Sequence, residues 1–164
     1  MPDTAAPSTG VATAGAAGEP DRTLTLEHVF KAPQNEVFRA WTDPALVMQW
    51  WGPEGFSAPE AALDVRAGGA WRIRMVGPQG DHVVSGVYRE VTPPRGLVMT
   101  WAWQEQGGRG HETIVDVTFE PAGPWTRVKL VQRLFETPEQ ASNHGWGWKG
   151  SFADLDRLLA ARTA

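Results

Sequence analysis

The apolar residues of this 164-residue chain recur at every second position through its middle, and at helical spacing over a long stretch only at its end. From Ala70 to Val76, Trp71, Ile73 and Met75 share one face and Arg72 and Arg74 the other. His82 to Thr92 sets Val84, Gly86, Tyr88 and Glu90 against Val83, Ser85, Val87 and Arg89, and Leu97 to Trp103 groups Leu97, Met99, Trp101 and Trp103. Such alternation marks strands. The segments Thr113 to Glu120 and Thr126 to Phe135 form a hairpin around Pro121-Ala122-Gly123-Pro124. Gly68-Gly69, Pro78-Gln79-Gly80-Asp81 and Pro93-Pro94-Arg95-Gly96 supply further turns, and Gly107-Gly108-Arg109-Gly110 a loop. Short hairpin connections imply an antiparallel sheet. The last helix, from about Pro138 to Ala161, carries Trp148, Phe152, Leu155 and Leu159 on one stripe. One face of the sheet needs a cover, and this is the only long amphipathic element. The expected fold is therefore α+β: a curved antiparallel sheet of about six to seven strands wrapped on a long C-terminal helix. Such a wrap tends to leave a cavity between the two.

The N-terminal part adds one strand and two short helices. Thr23 to Lys31 alternates, with Leu24, Leu26, His28 and Phe30 on one face. Ala32-Pro33 stops it, because proline removes a donor and fixes φ. Val37, Phe38 and Trp41 then fall at helical spacing. Thr42-Asp43-Pro44 reads as a break with a fresh N-cap and a proline at the helix start. A second short helix carries Leu46, Val47, Trp50 and Trp51, and Gly52-Pro53-Glu54-Gly55 ends it. Residues 1–22 are different: Ala, Gly, Pro, Ser and Thr fill 16 of the 22 positions and there is no aromatic. Such a segment buries too little apolar area to offset its ordering entropy. It is expected to be a flexible tail ahead of one folded domain over 23–164.

Composition removes several function classes. The chain has no cysteine, so a disulfide scaffold, a thiolate zinc site and a thiol nucleophile are all excluded. A cysteine-free chain fits a reducing cytoplasm, which is the expected location. The net charge of −4 and the lack of a basic run argue against a nucleic-acid partner. Asp3 stands where a secretory signal needs basic residues, and no stretch approaches the length of a membrane span. The outlying figure is nine tryptophans against one tyrosine, which suggests a core or cavity holding something bulky, or aromatic core packing alone.

The blocks Ala32-Pro33, Val37-Phe38, Ala40-Trp41-Thr42-Asp43-Pro44, Trp50-Trp51-Gly52-Pro53 and Gly55-Phe56 occur in an order that resembles the START-like (SRPBCC) superfamily. More narrowly, they resemble its branch homologous to the activator of the ninety-kilodalton heat-shock-protein ATPase. Asp64-Val65-Arg66-Ala67-Gly68-Gly69-Ala70-Trp71, Gly86-Val87-Tyr88-Arg89-Glu90-Val91, Pro94-Arg95-Gly96-Leu97-Val98 and Gly145-Trp146 continue it, so the resemblance covers about 23–162. It implies a helix-grip fold with a hydrophobic cavity. It implies less about function, since members range from co-chaperones to ligand carriers, cyclases and stress proteins. It also implies that full activators carry an additional chaperone-binding domain, which 1–22 is too short to supply.

Gly145-Trp-Gly147-Trp-Lys-Gly150 matches G-x-G-x-x-G, but bulky Trp146 and Trp148 fill positions a dinucleotide site leaves bare, and no buried strand precedes it. Close packing of the helix on the sheet is the expectation, and the low helix propensity of these glycines marks the first turns as a candidate gate. His111-Glu112 lacks the second histidine of a zinc motif, because Val115 stands in its place. His28, His82, His111 and His144 show no ligand spacing, and neither a metal nor a cofactor is expected. His28 fits a polar handle in the cavity or a satisfied residue at the sheet edge. Asp116 fits an inward acid or base, or a solvated outer face opposite Arg74 or Arg89.

Three functions remain open. The first is a carrier of a hydrophobic or aromatic small molecule, held by Trp41, Trp50, Trp51, Phe56, Trp71, Ile73, Met75, Met99, Trp101, Trp103, Trp148 and Phe152, with His28, Gln132 and His144 as polar anchors. The second, from the resemblance, is a co-chaperone-like module acting on a heat-shock chaperone. The third is a cyclase- or hydrolase-like enzyme using His28, Asp116 or His144; no catalytic set stands out. Either a monomer or a homodimer fits.

Overall fold

The computed structural model describes residues 20–163. The expected tail lies outside them as far as residue 19, and its last three residues form a single 3-10 turn, Pro20–Arg22. Eight strands follow: β1 (Leu24–Phe30), β2 (Ser57–Leu63), β3 (Ala70–Gly77), β4 (Gly80–Thr92), β5 (Gly96–Glu105), β6 (Gly108–Arg109), β7 (Thr113–Ala122) and β8 (Trp125–Arg133). Helices α1 (Gln34–Thr42) and α2 (Pro44–Val47) lie between β1 and β2, and α3 (Pro138–Thr163) closes the chain. The sheet runs β1-β8-β7-β5-β4-β3-β2, with the two-residue β6 paired to β5. Every pairing is antiparallel. No helix among the described residues is long and apolar enough to cross a membrane.

Local chemistry accounts for the elements. Asp43 caps α2, its side chain accepting from the Ala45 N–H at 3.0 Å, with Pro44 in the first turn. Helix α1 buries Val37, Phe38, Ala40 and Trp41. The sheet bends at two register shifts, between Tyr88 and Glu90 on β4 and between Ser57 and Glu60 on β2. Gly86 permits a close approach on β4: a Cβ there would lie 1.9 Å from the Thr100 carbonyl oxygen and 2.7 Å from the Trp71 indole nitrogen. That nitrogen donates to the Thr100 carbonyl at 3.1 Å.

The inner sheet face and the Trp148, Phe152, Leu155, Leu159 stripe form one core with Phe30, Val37, Trp41 and Trp50. Trp148 also fixes the helix by a buried hydrogen-bond chain. Its indole N–H donates to Gln132 Oε1 at 2.8 Å, and Gln132 Nε2 donates to Thr113 Oγ1 at 2.9 Å. Leu155 is fully buried at the closed end of this core. Truncating it to alanine is expected to lower unfolding free energy by about 2–5 kcal/mol, read from urea titrations.

Candidate functional site

The core is solid beneath the second half of α3 and opens beneath the first half. There the sheet, the helix and the loop after α2 enclose a cavity of about 670 Å³. Trp101 and Trp103 of β5 and Met75 of β3 supply the sheet wall, His144 and Trp148 the helical wall, and Trp51 and Phe56 the loop wall. These seven are the expected ligand contacts that the structure brings together.

The other eight lie elsewhere. Trp41, Trp50, Trp71, Ile73, Met99 and Phe152 are packed in the filled core and do not line the cavity. Gln132 is fully buried and engaged at both ends of its amide, which makes it a clip between helix and sheet. His28 sits on the edge strand β1, half exposed, with Nε2 2.7 Å from Asp156 Oδ2 on α3. This is the sheet-edge reading of that residue. Asp116 lies between the core residues Val115 and Val117 on the opposite, outer face of β7. Partial burial raises its carboxyl pKa; Arg133 and Lys129, rather than Arg74 or Arg89, oppose that shift. Of the three acid–base candidates, only His144 borders the cavity.

Sequence reasoning missed His82, His111 and Trp146, which also line the cavity; Phe135, an aromatic at the end of the last strand, joins them. The usable signal was topological. The β3–β4 turn, the β5–β7 connection and the start of α3 fall at one end of the sheet, so their flanking residues share a rim. Three histidines thus reach one chamber, yet no three His, Asp or Glu side chains among the described residues could hold a metal.

The Trp-Trp-Gly-Pro motif builds the loop wall. Trp50 anchors it, its indole N–H donating to the Ala40 carbonyl at 2.9 Å. Gly52 takes φ +120°, a region that favours glycine. Ser151 clips it twice: the Gly52 N–H donates to Ser151 Oγ at 3.1 Å, and that hydroxyl donates to the Gly52 carbonyl at 2.9 Å. A Cβ on Gly150 would lie 2.8 Å from the Glu54 backbone nitrogen, and one on Gly147 3.4 Å from Pro53 Cγ. The glycine motif of α3 therefore admits this loop. Its close packing is mainly against 53–54, not against the sheet.

Aromatic rings dominate the walls. Trp51 and Trp101 stack with centroids 5.6 Å apart, and Trp148 meets them at 5.3 and 5.4 Å. Trp101 Nε1 is buried with no hydrogen-bond partner among the described residues. His144 is the polar feature of the inner wall. The Trp103 indole N–H donates to its Nε2 at 3.1 Å, and Phe135 lies against the ring at 4.8 Å. Burial lowers its pKa to about 4, so the imidazole is neutral at physiological pH.

This is the architecture of a helix-grip protein: a curved sheet closed over one long helix, with a chamber under the helix's first turns. The family model described as activator of Hsp90 ATPase homolog 1-like protein matches residues 31–160, and the chain belongs to that family. A crystal structure of the AHSA1 protein from Silicibacter pomeroyi superposes with a TM-score of 0.78 at 34% identity, covering 85% of this chain and 99% of that one. A protein from Chromobacterium violaceum gives 0.75 at 28% identity, covering 84% and 96%. The human activator of 90 kDa heat shock protein ATPase homolog 1 is 28% identical over 127 residues, which are 75% of this chain and 33% of that protein. The chain thus spans about a third of the length of the curated relatives it matches.

Two outcomes are expected. Ser151→Ala removes both bonds to Gly52 and leaves a buried N–H unpaired, so it should cost about 1–3 kcal/mol in urea unfolding. His144 sets a pH dependence. Below pH 6.5, its ordinary value, the unfolded chain takes up a proton that the folded residue refuses down to about pH 4. Stability therefore falls as pH drops through that window, by on the order of 2–3 kcal/mol from this group, and is indifferent to it above. Urea midpoints of the His144→Gln variant should show a shallower decline over the same range.

Proposed function

We propose that this protein binds a hydrophobic, ring-bearing small molecule in the chamber between the sheet and the first half of α3. The chamber itself carries the reading: about 670 Å³ with indole, phenyl and thioether groups on its walls and polar side chains such as His82, Gln140 and Asn143 among them. That volume lies within the roughly 300–1,000 Å³ typical of small-molecule sites. The fold supports the reading by separating functions along one helix. Phe152, Leu155 and Leu159 hold the sheet, while His144 and Trp148 face the chamber. A rigid half thus leaves the other half free to serve as a wall.

A second reading, a module acting with a heat-shock chaperone, rests on the match to the human activator. Trp146, 60% exposed at the chamber rim, is an exposed aromatic available to it. Stimulation of a chaperone ATPase that is lost in Trp146→Ser would favour this reading.

Native mass spectrometry of gently purified protein tests the first reading. A stoichiometric adduct released on denaturation is expected, with a shift in tryptophan emission when it is restored. Absence of any adduct, together with unchanged emission across a panel of neutral aromatic compounds, would remove it.

A further inference from the structure

Three observations on the chamber wall bear on the chemistry of its occupant. The first concerns the tautomer of His144. An indole N–H can only donate, so the 3.1 Å contact from Trp103 makes Nε2 of His144 an acceptor. A neutral imidazole with an unprotonated Nε2 carries its proton on Nδ1. No described residue accepts from Nδ1, and the atom is not among the sealed, unpartnered ones. It is an open donor on a residue that lines the chamber.

The second observation is charge. No lysine or arginine lines the chamber among the described residues; the carboxylates Glu105 and Glu136 do, with the imidazoles of His82 and His111 beside them. The third is burial, which keeps the His144 ring from serving as a cation near neutral pH. An organic acid entering here would shed water, find no lysine or arginine and pass two carboxylates, one of them, Glu136, already facing His111 at 4.0 Å. Burying a charge without a partner is far costlier than burying a neutral carbonyl that receives one hydrogen bond.

We infer that His144, held as its Nδ1–H tautomer by Trp103, seats a neutral oxygen acceptor of an aromatic ligand and that the chamber rejects carboxylates. Trp103 is a positioning residue in this arrangement, acting through the imidazole. The inference rests on the small-molecule reading above and adds to it a polarity and a charge.

Three probes of similar shape separate the possibilities: 2-acetonaphthone, its hydrocarbon counterpart 2-isopropylnaphthalene, and 2-naphthoate, compared by equilibrium dialysis at pH 7.5. The ketone is expected to bind roughly threefold to tenfold tighter than the hydrocarbon, the yield of one net hydrogen bond. Naphthoate should bind at least about tenfold more weakly than the ketone. In His144→Phe the ketone and hydrocarbon affinities should converge. The 15N shifts of the wild-type imidazole should show a protonated Nδ1, and Trp103→Phe should move them toward a tautomer mixture. Naphthoate binding as tightly as the ketone, a ketone preference that survives in His144→Phe, or a protonated Nε2 in the wild type would each overturn the inference. If the hydrocarbon binds as well as the ketone, the His144 assignment fails and the small-molecule reading stands. If none of the three is retained, the inference fails, and the adduct measured by native mass spectrometry decides the small-molecule reading separately.

Discussion

The structure depends on one buried amide. Gln132, near the end of β8, has no exposure to solvent, so both ends of its side chain need partners. Trp148 supplies the donor from α3 and Thr113 the acceptor from β7. Apolar packing alone would let a helix slide or roll on a sheet at modest cost. A buried polar pair does not, because a small displacement strands a donor and an acceptor together, at about 1–3 kcal/mol for each group. The contact therefore sets the height and rotation of α3. The Trp148 ring is placed against Trp41, centroids 5.8 Å apart, and the aromatic cluster grows outward from that point.

Fixing the helix there divides the interior. Beyond Trp148 toward the C-terminus, the stripe closes on Phe30 and Phe152, whose rings meet at 5.3 Å. On either side of it, Gly147 and Gly150 replace bulk with clearance, and the 52–56 loop enters beside the helix, with Phe56 lying over Gly77. The loop holds its place through Ser151 and Trp50, so it stands as a rigid third wall. The chamber is what remains between three fixed surfaces, none of which can collapse into it without breaking a buried hydrogen bond.

Much of this was legible in the sequence, for reasons that vary by element. The alternating strands β3, β4, β5, β7 and β8 announce themselves because one face is apolar and the other wet. The α3 stripe is equally plain. Strand β2 was missed because Ser-Ala-Pro-Glu-Ala-Ala-Leu lacks β-branched and aromatic residues, and Pro59 is tolerated only at a sheet edge, where β2 lies. The two-residue β6 falls within Gly107-Gly108-Arg109-Gly110, whose glycines predict a loop. At the site, periodicity identified the inward residues without telling how far along the helix the filled core extends. Trp71 and Trp101 share a face, yet only Trp101 reaches the chamber. Gln132, a polar residue on an apolar face, suggests a ligand anchor; its partners, Thr113 and Trp148, come from other elements that only the fold brings together.

The division of α3 also has an evolutionary consequence. Residues such as Phe56, His82, His111 and Phe135 shape the chamber yet take no part in the buried hydrogen-bond chain that seats the helix. They can be exchanged, and the interior reshaped for a different occupant, without disturbing the joint on which folding relies. Trp148 belongs to both sets and is the point where such exchange stops. A scaffold divided in this way is free to change what it holds many times over while keeping how it holds itself.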